Sequence, residues 1–124
     1  MDDSIVRGNT MKRIVALIKN AGAKEVHLFI SCPKIIAPCF MGIDFPTYSE
    51  LIGSTRTVEQ IRQFLGVDSL TYMTLEGLEK AIGLKGKLCM SCLTNKYPIK
   101  IDKEALMLAK SNITFGSKRK SGCC

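Results

Sequence analysis

The first ten residues, Met1-Asp2-Asp3-Ser4-Ile5-Val6-Arg7-Gly8-Asn9-Thr10, constrain this chain more than any other stretch. Two adjacent carboxylates run into a short turn with hydroxyls and a glycine, and that turn opens a helix. Thr10 is placed as the cap of a helix over 11–21, in which Ile14, Leu17, Ile18 and Ala21 recur at i, i+3, i+4 and i+7 before Gly22 ends it. From Lys24 to Ile30 the chain reads as a strand, with Glu25 and His27 alternating against Val26 and Leu28. A loop, a helix and a returning strand are half of a nucleotide-binding unit. The predicted class is therefore α/β, a parallel sheet with flanking helices.

The chemistry of the turn follows from its residue types. Free backbone N–H groups at a helix start, a permissive glycine and the Ser4 and Thr10 hydroxyls are donors that converge on a phosphate. Asp2 and Asp3 would repel that phosphate, but they are suited to accept hydrogen bonds from sugar hydroxyls one group further along the ligand. The unit reads as a site for a pentose phosphate held at both ends. The plainer alternative is that Asp2, Asp3 and Ser4 cap a turn.

Beyond Ile30 the pattern is less regular. Ser31 to Thr47 is a long irregular segment with three prolines. Short helices are expected at 47–53 and 58–65, the second opened by a Thr57/Gln60 capping box, closed by Gly66, and buried through Val58, Ile61 and Leu65. A short strand is placed at 69–73. Thr74 starts another helix with Leu75, Leu78 and Ile82 on one side and Gly83 at its end. A last amphipathic helix is expected at 103–110, followed by a frayed basic tail over 111–124. The chain divides into 1–30, the loop, helix and strand; 31–110, a helical segment carrying cysteines; and the tail.

Lys and Arg outnumber Asp and Glu by 18 to 11. Apart from Lys118-Arg119-Lys120 the cations are scattered and lack interleaved aromatics, so an anionic ligand and a solvated surface explain the excess better than nucleic acid does. No run of about eighteen apolar residues is present, and the acidic start is not a secretory signal; the expected setting is cytoplasmic, away from membranes. The terminal Cys123-Cys124 is read as tail and not as a lipidation signal.

The cysteines carry a second signal. Cys89 and Cys92 form a C-x-x-C, a spacing that lets two thiolates face one metal. Together with Cys32 and Cys39 they make a chemically sensible tetrahedral zinc site. Cys32 is otherwise a small buried residue.

The sequence Asp2-Asp3-Ser4-Ile5-Val6-Arg7-Gly8-x-Thr10 resembles the phosphoribosyl pyrophosphate (PRPP) loop of type I phosphoribosyltransferases, and most of all that of the glutamine PRPP amidotransferase family. Further blocks agree in order: Ala23 to His27, Ile30-Ser31, Pro38-Cys39-Phe40, Gly42-Ile43-Asp44, Glu50-Leu51-Ile52, Asp68-Ser69-Leu70, Glu76-Gly77-Leu78, Cys89-Met90-Ser91-Cys92 and Lys96-Tyr97-Pro98. The resemblance runs from residue 2 to about residue 98. It implies an α/β fold corresponding to the second half of the transferase, and a reaction that turns PRPP and glutamine into 5-phosphoribosylamine, the first committed step of purine synthesis. Ser4, Ile5, Val6, Arg7, Gly8, Asn9 and Thr10 would hold the 5-phosphate. Asp2 and Asp3, the implied catalytic residues, would grip the ribose hydroxyls and contact magnesium, itself bound mostly by substrate and water.

The same resemblance implies a four-iron four-sulfur cluster on Cys39, Cys89 and Cys92, with its fourth ligand outside this chain. It further implies a homotetramer, purine nucleotides as feedback inhibitors, and an N-terminal glutaminase domain upstream, so that the chain reads as a C-terminal fragment inactive by itself. Two other classes stay open: a stand-alone PRPP or nucleotide-binding module, and a small zinc-binding interaction protein. Departures from the family pattern are Asn9 for Thr, Met41 for Tyr, Asn95 for Gly, and Cys32 for Ser. Asp44 reads as a loop cap, and His27 as structural or solvent-facing.

Overall fold

The structure, a computed structural model, describes residues 1–43, 47–102 and 104. In chain order the elements are α1 (Asn9–Asn20), β1 (His27–Ile30), α2 (Ile52–Thr55), α3 (Val58–Leu65), β2 (Ser69–Tyr72), α4 (Leu75–Ile82) and α5 (Ser91–Thr94). The expected helix at 103–110, the tail and Asp44 lie outside the described residues.

Strands β1 and β2 are parallel, with His27 opposite Ser69 and Ile30 opposite Tyr72. On the other side of β1 the N-terminal residues form a third, very short strand position. The Asp2 N–H donates to the Phe29 carbonyl at 3.0 Å, the Ser31 N–H to that of Asp2 at 3.1 Å, and the Cys32 N–H to that of Asp3 at 3.0 Å. β1 is thus the centre of the sheet, and the loop after Asp3 springs from the end of its neighbour. Parallel neighbours require a crossover, supplied here by α1 on one side and by α2 and α3 on the other.

One face of the sheet is covered. Leu28, Ile30 and Leu70 meet Met11 and Val15 of α1, Ile61 and Leu65 of α3, and Ile5, Ile52 and Val67 in a single core. The strand alternation is as expected: His27 and Phe29 are exposed while Leu28 and Ile30 are buried. Ile61 and Leu65, four apart, bury α3, whereas Val58 at its first turn is 40% exposed. This core crosses residue 30, so the first two segments of the chain fold on one another.

Several local expectations need correction. Helix α1 turns Met11 and Val15 to the core and leaves Ile14, Leu17 and Ile18 at 41, 68 and 42% exposed. Periodicity identifies an apolar stripe but cannot say which neighbour it meets, and on a sheet this narrow the Met11/Val15 side makes the contact. The helix starts at Asn9, one turn position before its expected cap, because Gly8 takes the left-handed conformation at φ 80° and Thr10 is already inside the first turn. The helix expected at 47–53 is a turn over Thr47 to Leu51 followed by α2. Helix α4 is capped by Thr74 and Gly83 as expected, yet buries no residue.

Candidate functional site

A cavity of about 430 Å³ opens where the N-terminal strand position ends, lined by Asp2, Ser4, Ile5, Val6, Arg7, Gly8, Asn9, Thr10 and Met11. Eight of the nine residues named for the phosphate loop therefore border one space. Asp3 does not border it. Its carboxylate turns back and accepts from the Ser4 N–H at 2.6 Å and from the Ser4 hydroxyl at 3.4 Å. Asp3 thus makes the local turn bond that short acidic side chains favour, while Asp2 faces the cavity.

The loop is held from outside by residues far along the chain. The Val6 carbonyl accepts from the Ile52 N–H at 2.9 Å. Arg7 reaches Glu50, with Nη2 at 3.0 Å and Nε at 3.3 Å from one carboxylate oxygen. The other oxygen of Glu50 accepts from the Thr47 hydroxyl at 3.2 Å. The Arg7 hydrogen bond and charge hold the Glu50 carboxyl below its ordinary range. With its guanidinium paired to Glu50, Arg7 leaves the loop's backbone donors and hydroxyls as the groups available to an anion.

Gly8 is needed here for two reasons. At φ 80° an L side chain is strained, and a Cβ would stand 3.0 Å from Ile52 Cδ1 and 3.3 Å from Phe64 Cε1. Phe64 is in turn flanked by cations, Lys12 Nζ at 4.6 Å and the Arg56 guanidinium at 4.4 Å from the ring centre. The loop thus rests on α2 and α3, which the sequence separates from it by more than forty residues.

The cysteines gather in a second region with little regular structure. Cys92, in α5, accepts through its carbonyl from the N–H groups of Ile36 and Ala37 at 2.9 and 3.0 Å. Tyr97 donates its hydroxyl to the Pro38 carbonyl at 2.7 Å and sets its ring 5.3 Å from Phe40. Burial raises the Cys92 thiol above its ordinary range, and the nearby thiols of Cys39, Cys32 and Cys89 add to this. Cys32 is raised by burial and then by Asp3. Exposed Cys89 is lowered by its hydrogen bond with Ser91, at 3.5 Å. The donor chemistry suits a thiolate-ligated metal, but among the described residues no three His, Cys, Asp or Glu groups are spaced to hold an ion.

Three features escaped sequence reasoning. Glu50 belonged to a recognised block, but its pairing with Arg7 had no local signal. Phe64 is an ordinary apolar residue on a helix. His27, read as structural or solvent-facing, is both: exposed, it bonds Ser69 at 2.8 Å and Glu25 at 3.1 Å and staples β1 to β2, partners that the sequence did not name.

No family model matches the sequence. The amidophosphoribosyltransferase of Methanocaldococcus jannaschii is 56% identical over 107 residues, 86% of this chain and 22% of that protein. That of Archaeoglobus fulgidus is 53% identical over 84% of this chain and 23% of its own length. Among solved structures, the glutamine PRPP amidotransferase from B. subtilis complexed with ADP and GMP superposes with a TM-score of 0.76 at 49% identity, covering 84% of this chain and 24% of that one. The chain spans under a quarter of the length of the relatives it matches. By sequence and fold the chain matches part of the C-terminal region of the amidophosphoribosyltransferases.

Proposed function

We propose that this chain forms the PRPP-phosphate side of the transferase site in an enzyme that makes 5-phosphoribosylamine from PRPP and glutamine in purine biosynthesis. The observation that carries the reading is the cavity bordered by Asp2 and by Ser4 through Met11 at the end of a parallel strand. In the reaction, ammonia from glutamine attacks the anomeric carbon of PRPP, the C–O bond to pyrophosphate breaks, and the new C–N bond is left after loss of a proton. No protein nucleophile is required; positioning and charge supply the rate.

The loop amides with the Ser4 and Thr10 hydroxyls hold the 5-phosphate. Asp2 accepts from a ribose hydroxyl and favours the positive charge that develops on the ring. Asp3 joins it on leaving its bond with Ser4. Asp2 and Asp3 are the carboxylates that would hold magnesium, mostly through water, and the ion would supply charge neutralisation for the pyrophosphate leaving group. Titration calorimetry with Mg·PRPP tests this assignment. Binding that weakens at least tenfold in Asp2→Asn supports it, whereas unchanged affinity in Asp2→Asn and Gly8→Ala alike removes the loop from the ligand site.

For the cysteines we infer a structural role. The donor set Cys39, Cys89 and Cys92 suits three thiolates of an iron–sulfur cluster, and the addition of Cys32 suits zinc. Iron, sulfide and zinc assayed on anaerobically purified protein separate the two: iron with matching sulfide supports the cluster, zinc without sulfide the four-cysteine site. Purine nucleotides as feedback ligands are part of the same proposal, supported by the ADP and GMP named for the B. subtilis neighbour, as is assembly into homotetramers in the cytoplasm.

A further inference from the structure

We propose that Tyr48 is a positioning residue for the phosphate loop, joining the helix that carries Cys92 to the Arg7 guanidinium through Asn95 and Glu50. The inference rests on residues 2–10 being the phosphate loop for its functional meaning, but its geometry stands by itself. The Tyr48 hydroxyl donates to Asn95 Oδ1 at 2.7 Å, across 47 residues of sequence. Asn95 is the left-handed cap of α5, at φ 58°, and its N–H donates to the Ser91 carbonyl at 2.8 Å. The far end of the tether is therefore set by the same short helix that presents Cys92.

At its near end Tyr48 sits in the turn that makes the loop's outer contacts. The Thr47 carbonyl accepts from the Glu50 N–H at 3.0 Å, and the Tyr48 carbonyl accepts from that of Leu51 at 3.3 Å. Leu51 is fully buried and anchors the turn. From this turn Glu50 holds Arg7, and the next residue, Ile52, holds the Val6 carbonyl at 2.9 Å. A shift of the turn moves two successive loop residues together. The Arg7–Glu50 pair is half exposed and weak by itself, so its geometry depends on where the turn is held. The Tyr48 hydroxyl, which also meets the Tyr97 side chain, is a side-chain link by which α5 and the segment after it fix that position.

The coupling has a reciprocal consequence. Whatever reorganises α5, such as alkylation of the exposed Cys89 and of Cys92, is felt at Arg7, and whatever occupies the loop is felt at the cysteines. No metal need be present for this. A physical route of this kind is established only by showing that perturbations at its two ends fail to add.

The test uses the full chain and reads solvent exchange of the Arg7 Nε–H by NMR, with Tyr48→Phe and Asn95→Gly as the two breaks. Phenylalanine keeps the ring and removes the donor; glycine keeps the left-handed cap and removes the acceptor. Exchange is expected to rise about threefold or more in each, the factor a single ordinary hydrogen bond is worth. The double variant should match Tyr48→Phe, which removes the bond to Asn95 together with the contact to Tyr97. Iodoacetamide treatment of the parent chain should also raise exchange at Arg7, with no further rise in Tyr48→Phe. Unchanged exchange in both variants overturns the proposal, as does an alkylation effect of full size in Tyr48→Phe. Mg·PRPP titrated on the same samples is expected to bind about threefold more weakly to Tyr48→Phe. Accelerated exchange in a chain that binds no PRPP would keep the tether and overturn the phosphate-loop reading instead.

Discussion

The N-terminal loop region and the cysteine region are assembled on different physical terms. Around the loop, α1, β1, α3 and β2 bury aliphatic side chains of regular spacing in one core, from Ile5 and Val15 to Ile61 and Leu70. Around the cysteines, residues 32–43 and 84–98 hold one four-residue helix; Ile35, Ala37 and Pro38 are buried there outside that core, and the segments are joined by single bonds: Tyr97 to Pro38, Ile36 and Ala37 to Cys92, Tyr48 to Asn95. Burial of about 25 cal/mol per Å² is collective and tolerates small errors, whereas one hydrogen bond contributes about 1 kcal/mol and is lost entirely with its donor. The first region should therefore respond to changes of volume and the second to changes of single atoms.

Ile61→Ala gives the sharpest attack on that contrast. Ile61 of α3 is fully buried in the core shared with α1 and the sheet, and its truncation is expected to cost about 3 kcal/mol in denaturant unfolding. A loss under about 1 kcal/mol would mean that the aliphatic core is not the main support. Gly53→Ala strikes where the two regions meet, because a Cβ there runs into the backbone carbonyl of Ile35, which cannot rotate away. An overpacking cost of about 2 kcal/mol is expected, with the Ile36 and Ala37 amides losing exchange protection.

Gly8→Ala comes next. The left-handed backbone and the contacts to Ile52 and Phe64 predict a loss of about 1–2 kcal/mol in melting experiments, with a proportionally greater loss of PRPP affinity because the strain falls within the loop. Tyr97→Phe leaves the Pro38 carbonyl without its donor and should cost about 1 kcal/mol, felt as faster exchange around Cys39 and not at Ile61. A response spread evenly over both regions would erase the distinction.

The smallest effect is a pH dependence. Glu50 has a folded-state pKa depressed chiefly by Arg7, so its contribution is present above the ordinary carboxylate value and is lost as pH falls through the depressed one. NMR of the Arg7 Nε resonance should hold steady from neutral pH to about 5 and move below the usual carboxylate range of about 4. Glu50→Gln should abolish the movement; its persistence would assign it to another acid.

Much of this molecule could be read along the chain. The glycine turn and the helix after it follow from donor geometry and φ preference, and both lie within two residues of where the sequence puts them. The Thr57/Gln60 box, the Gly66 and Gly83 stops and the alternation through β1 are local rules satisfied within a few residues. Local rules failed where a choice of neighbour was involved. The Ile14/Leu17/Ile18 stripe is apolar and periodic, yet Met11 and Val15 meet the sheet. Thr10 is a good capping residue, but a left-handed Gly8 starts the helix earlier.

The sequence by itself thus determined the chemistry on offer: carboxylates beside a phosphate-type turn, a C-x-x-C, and an α/β order of elements. Only the tertiary structure decided that Asp2 and not Asp3 borders the cavity, that Glu50 takes Arg7, that Phe64 supports Gly8, and that Tyr48 reaches Asn95. The physical reason is range. Backbone preference and amphipathic period act over one or two turns, whereas the last three pairings join residues more than forty positions apart and exist only once the shared core has brought the elements together.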